Sequence, residues 1–253
     1  VVWRKGKPRM TIDPGYQPFV SLLPPNTVDN DFLPGCVFTR ITSLCRAGAI
    51  FLVVFRVPAD TWGGDGSSYY RVHGAQRKDM PLYTLMLYDG VQVDLRPNFG
   101  ATLLPQNIGM RGSGFLVWCI KRELKAFDLA HPPSIPSILH GLEQRRAVRA
   151  TEAPELTDET DFLYAVLFYV AMMIDDIGAV SVSDPIHEDG ELVIWTPEGC
   201  ARARPKRRSD FHYEIAVFTV MPRLGYPVAA DKSQPPWIFG QKMVQLGAQV
   251  EMS

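Results

Sequence analysis

The chain has 253 residues, 46% of them hydrophobic, and 26 basic against 27 acidic residues leave a formal charge of −1. That length allows a large buried core, in one large domain or two small ones. The charge balance gives no global attraction to nucleic acid or to an anionic membrane, and the longest apolar runs, Ala49 to Phe55 and Phe162 to Ile174, fall short of the roughly 20 residues that span a bilayer.

Residues 1–35 read as an extended arm, because prolines at 8, 14, 18, 24, 25 and 34 block helix and interrupt sheet ladders. From Cys36 the pattern is strand-like: "CVFTRITSL", a break at Arg46-Ala47-Gly48, then "AIFLVVFRV", which predicts a central strand covered on both faces. "ADTWGGDGSSYYRVHGAQRKDM" predicts a long loop. Strands are expected at "LYTLMLYDGVQVDL", with a turn at Asp89-Gly90, and again at "SGFLVWCIKREL". "HPPSIPSILHGLEQ" predicts a helix entered near Ser137. Residues 158–177 read as a long helix with Thr157 as its cap and Gly178 as its stop, although the aromatic content also permits a buried strand. Strands at "ELVIWT" and "FHYEIAVFTVM" flank a basic segment, and residues 223–253 form a second irregular arm.

Few patterns carry chemistry. "GMRGSG", residues 109–114, has the look of a phosphate-cradling loop, but the strand expected after it makes it a turn, since a dinucleotide fingerprint opens a helix. "DPIHEDGE" gathers Asp184, His187, Glu188, Asp189 and Glu191, types that bind divalent metals, in a stretch that Pro185 and Gly190 make a solvated turn. Asp175-Asp176 is an acid pair of low specificity. A metal-dependent α+β enzyme would need these acids to converge with a histidine. No nucleophile elbow accompanies His73, His131, His140, His187 or His212, all expected to be surface or structural. No catalytic residue, cofactor or metal is implied. Cys36, Cys45, Cys119 and Cys200 lack CxxC spacing and read as reduced thiols of an intracellular protein, with a Cys36–Cys45 bridge left to geometry.

"RARPKRR", residues 202–208, packs five basic residues into seven positions. A solvated loop accounts for it. The rival reading is phosphate-backbone contact with RNA through Arg204, Lys206 and Arg207. The run also resembles the Arg-x-Lys-Arg sites of proprotein convertases and basic nuclear-import clusters.

Two stretches, "VFTRITSLCRAGAIFLVVFRV" with its Arg46 and Gly48, and "SDFHYEIAVFTVMPRLGYP", resemble the coat proteins of picorna-like viruses. The resemblance implies a mainly β fold, an antiparallel eight-stranded jelly-roll sandwich over 36–222 with a helical insertion and two irregular arms. It implies a non-enzymatic capsid subunit that assembles with other capsid subunits into an icosahedral virion around an RNA genome, and that is found in the virion and, during assembly, in the host cytoplasm. The start without Met is compatible with cleavage from a polyprotein. Interface residues are then expected among the arm aromatics Trp3, Phe19, Trp237 and Phe239, together with Trp62. The alternative is a non-enzymatic subunit of another large assembly, such as a ribonucleoprotein or a double-stranded RNA virus particle.

Overall fold

The computed structural model describes residues 2–4, 7–9, 41–67, 69–74, 77, 84–87, 90–93, 95–96, 109–152, 167–186, 191–195, 199, 201–236, 243–245 and 248–250. Two compact units alternate along the chain. One takes Val1–Phe38, Ser67–Phe115 and Met173–Asp175, and the other takes Thr39–Gly66, Leu116–Met172 and Asp176–Ser253.

The eight-stranded jelly roll is overturned. Among the described residues the largest sheet has three strands, the remaining sheets are two-stranded hairpins, and long helices supply much of the core. No pair of facing sheets is large enough to make a sandwich.

In the second unit, α1 (Ile41–Phe55) replaces the expected central strand. Leu44, Ala47, Phe51 and Phe55 are buried, at the three- and four-residue spacing of one helix face. The helix stops where Arg56 turns to a left-handed φ of 54° ahead of Pro58. Next comes β3 (Ala59–Asp65), a strand where a loop was expected. Where a helix was expected to run to residue 177, with a buried strand as the alternative, the chain forms the strands β6 (Phe168–Met173) and β7 (Asp176–Val182), linked by Ile174 and Asp175. Residues 158–166 of that expected helix lie outside the described residues. The strand order is β3-β7-β6, with Trp62 opposite Ala179 and Gly63 opposite Gly178. On its other edge β3 is covered by the segment after residue 227, through bridges from Gly63 to Gln234 and from Gly66 to Val228.

"SGFLVWCIKREL" is also helical, within α3 (Arg111–Ala130), where Leu116, Ile120 and Leu124 recur every four residues on the buried side. The helix expected near Ser137 is present as α4 (Pro136–Glu152). "ELVIWT" is a strand as expected, β8 (Glu191–Trp195), but its partner is the basic segment itself, β9 (Ala201–Pro205). "FHYEIAVFTVM" is not a strand. It lies in α5 (Arg208–Tyr213), a π-helical stretch Glu214–Val220, and α6 (Met221–Arg223). Its buried His212, Tyr213, Ala216, Val217, Val220 and Met221, with Ser209 just before it, follow helical spacing. The π-helical stretch lies close to β3: a Cβ on Gly64 would come 3.0 Å from Val217 Cγ2. The core of this unit joins Ala47, Phe51 and Phe55 to Val57, Ile138, Leu167, Val180 and Val182.

The first unit contains the hairpin Val2–Arg4 with Lys7–Arg9, the short helix α2 (Tyr69–Val72), and the hairpin of β4 (Thr84–Leu87) and β5 (Gly90–Val93). The two strands expected on either side of Asp89 are therefore present. At the start of α3, Gly112 lies close to α2: a Cβ there would come 2.7 Å from the Tyr69 hydroxyl, which would have to shift.

Candidate functional site

The densest polar chemistry lies in the second unit, around the first turn of α5. Arg207 precedes that turn as its cap residue, and Asp210, three residues on, accepts a 2.8 Å hydrogen bond from the Arg207 backbone N–H. This bond helps start the helix and places a carboxylate at its positive end.

Arg208 follows and is buried, 1% exposed. Its Nε and Nη2 donate to Asp184 Oδ2 at 3.1 and 2.9 Å, Nη1 to Asp128 Oδ1 at 2.5 Å, and Nη2 to the His131 carbonyl at 2.8 Å. Asp128 lies four residues beyond Leu124 on the inward stripe of α3, which is why an acid ends up beside the core. A carboxylate near the end of a helix is unfavourable, and Arg208 offsets it. One oxygen of each acid, Asp184 Oδ1 and Asp128 Oδ2, is buried with no hydrogen-bond partner among the described residues.

From Asp128 a second chain of hydrogen bonds runs inward. His212 Nε2 stands 3.0 Å from Asp128 Oδ1, His212 Nδ1 stands 3.0 Å from Ser181 Oγ, and Trp62 Nε1–H donates to Ser181 Oγ at 2.8 Å. A carboxylate only accepts, so Nε2 carries the proton, and in the neutral ring Nδ1 accepts from the serine hydroxyl. The order serine, histidine, acid is that of nucleophilic hydrolases. Ser181 and His212 are both fully buried, however, and the serine oxygen already accepts from Trp62. A substrate carbonyl would have to enter the core to reach it. The arrangement therefore orients β7, α3 and α5 with respect to one another.

The residues proposed for RNA contact are on the rim of this network, and each has a partner in its own chain. Arg204 forms a two-pronged pair with Asp210, at 2.6 and 2.8 Å. Lys206 Nζ donates to both oxygens of Glu214 at 2.8 Å and sits 4.8 Å from the Phe211 ring centre. Arg207 donates to Ser183 Oγ at 2.7 Å, with Asp60 at 3.6 Å. Of the segment read as a solvated loop, residues up to Pro205 form a paired strand, and Arg204, Lys206 and Arg207 are matched to Asp210, Glu214 and Asp60.

Trp62, expected at an interface, is fully buried and meets Tyr213 edge-on at 6.2 Å. Trp3 lies in the Val2–Arg4 strand, while Phe19, Trp237 and Phe239 lie outside the described residues. The acids suggested for a metal do not converge among the described residues: Asp184 is engaged by Arg208, Glu191 is exposed at the start of β8, and His187, Glu188 and Asp189 lie outside them. No group of three metal-ligating side chains occurs among the described residues. Cys45 and Cys119 are free thiols, and burial pushes the Cys119 thiol up from its ordinary pKa.

"GMRGSG" does open a helix, so the strand expected after it is overturned. The Ser113 hydroxyl donates to the carbonyls of Gly109 and, at 2.8 Å, Ile174, and lies 3.3 Å from the Tyr69 hydroxyl. The Ser113 hydroxyl is thus engaged by groups of its own chain. No helix among the described residues is long and apolar enough to cross a membrane.

Asp128 and Arg208 were not singled out as site residues from sequence, and His212 was placed on a strand. The signal for Asp128 was its place on the stripe of Leu116, Ile120 and Leu124. For His212 it was the helical spacing with Ser209 and Ala216. The chain matches no protein-family model and no curated protein.

Proposed function

We propose that the chain is a structural subunit of a larger multi-chain assembly and acts by docking to partner chains, not by catalysis. One observation carries this reading. The side chains of the polar network, Asp184, Arg208, Ser181 and His212, are turned inward and engaged with one another or with their neighbours, while several large apolar side chains are turned outward. On α3, Trp118 and Leu129 are 51% and 71% exposed, and Phe115 lies one turn before Trp118 on the same side. Phe218 of the π-helical stretch and Val193 of β8 are also more than half exposed. Isolated exposed apolar residues are ordinary, but rows of them mark contact surfaces.

In its narrow form the proposal is a coat subunit that closes an icosahedral shell around an RNA genome, resident in the virion and in the host cytoplasm during assembly. In its wider form it is a subunit of a ribonucleoprotein or double-stranded RNA virus particle. The narrow form no longer has strands behind it, since both stretches that resemble coat proteins contain helix. The wider form does not depend on them. In either form, RNA phosphates would have to displace Asp210 and Glu214 from Arg204 and Lys206, so these cations serve the fold first.

Imaging and weighing the native material tests the proposal. Particles of fixed copy number are expected, and closed shells would select the narrow form. A lone monomer that fails to assemble with its authentic partner chains would overturn it.

A further inference from the structure

Helix α1 is apolar on both sides. At about 100° per residue, the buried Leu44, Ala47, Gly48, Phe51 and Phe55 occupy one arc, and the exposed Thr42, Cys45, Arg46, Ala49, Ile50, Leu52 and Val53 occupy the opposite one. Val53 is 75% exposed and Leu52 54%. A helix that is hydrophobic all round belongs in an interior, so this outer face calls for a cover.

The charge around it selects the cover. Residues 41–59 contain no acid, and their only charged residues are Arg46 and Arg56, both exposed and without an ion pair among the described residues. We propose that the outer face of α1 docks an amphipathic helix of a partner chain whose apolar stripe is flanked by carboxylates, one to meet Arg46 in the second turn of α1 and one to meet Arg56 just past its last residue. This rests on the assembly reading above and adds the partner's chemistry to it. A second copy fits poorly. Antiparallel pairing sets Arg46 against Arg56, and parallel pairing sets each against itself, which repels in either case. Size argues the same way: one face of a 15-residue helix offers far less than the roughly 800 Å² per partner of a free-standing dimer, but suits a docked helix.

The test titrates the purified chain into two labelled helical peptides with the same leucine stripe, one bearing Glu and the other Lys at two positions three turns apart. The Glu peptide is expected to bind at least tenfold more tightly, an R46E/R56E variant to reverse the preference, and Val53→Asp to abolish binding with an unchanged circular dichroism spectrum. Equal binding of the two peptides, binding of neither, or insensitivity to Val53→Asp would overturn the proposal. So would self-association that Val53→Asp removes, or preferential adsorption to phosphatidylserine vesicles. The two readings fail separately: native particles that still assemble with Val53→Asp sink the α1 site alone, while a native monomer sinks the assembly reading whichever peptide binds.

Discussion

Arg208 holds the buried carboxylate of Asp184 and the largely buried one of Asp128, so its loss is costly to the fold. Arg208→Met leaves Asp184 and Asp128 uncompensated in the interior, for an expected loss of about 3–5 kcal/mol in urea unfolding. Adding Asp184→Asn should recover part of the loss, because one stranded charge is then gone; strictly additive losses would mean that the pair is not coupled. Lys121 offers a test of the opposite kind. It sits 5.7 Å from the centre of the Tyr169 ring, and burial lowers its pKa from the ordinary 10.5. Below the lowered value both folded and unfolded chains hold the proton, and the burial penalty is fully present. Between the lowered value and 10.5 the unfolded chain binds more protons, so stability rises with pH. Lys121→Met removes both the penalty and the rise, so its stability advantage over wild type should shrink as pH is raised toward that limit. Tyr213, whose pKa burial raises, loses stability at high pH in both proteins and cancels from the difference. A difference constant with pH would contradict this account of Lys121.

Among the elements, β3 and the π-helical stretch fit closely. Gly64→Ala would bring a methyl group within 3.0 Å of Val217 Cγ2, with an expected cost of about 1–3 kcal/mol from overpacking. Val217→Ala should relieve most of it, and the sign of the coupling in a double-mutant cycle checks the contact. This packing also shows why the elements were only partly legible. The strands β4, β5 and β8 and the helix at Pro136 followed from local propensity and turn chemistry, and no tertiary contact overrode them. In α1 the β-branched Ile50, Val53 and Val54 argued for a strand, yet Leu44, Ala47, Phe51 and Phe55 already had helical spacing. An outer face equally apolar hid that period, because a stripe is legible only against a polar background. In α5 and its continuation, Phe211, Tyr213 and Phe218 gave the same false strand signal. β3 was missed for the opposite reason. Its Gly63-Gly64 looks like turn chemistry, but Gly64 admits Val217 as a close neighbour.

At the scale of the whole molecule, the polar network and the apolar surfaces divide the work. Long-range pairs such as Ser209 with Asp60, and Arg208 with Asp128, tie segments distant in sequence into one rigid unit, and no sequence spacing announces them. Stability therefore comes from inside the unit, which leaves the outward faces of α1 and α3 available for partners. The basic run illustrates the same division. Arg204→Ala, which strands Asp210, is expected to lower stability in urea unfolding and to leave the salt dependence of any RNA binding unchanged; a shallower salt slope would instead place Arg204 on a phosphate. The central claim, that the exposed apolar rows are covered by partner chains, is tested most directly by hydroxyl-radical footprinting of the isolated chain and of the native material, read by mass spectrometry. Leu52, Trp118, Leu129 and Phe218 should be labelled in the isolated chain and protected in native particles, whereas equal labelling in both would contradict the account.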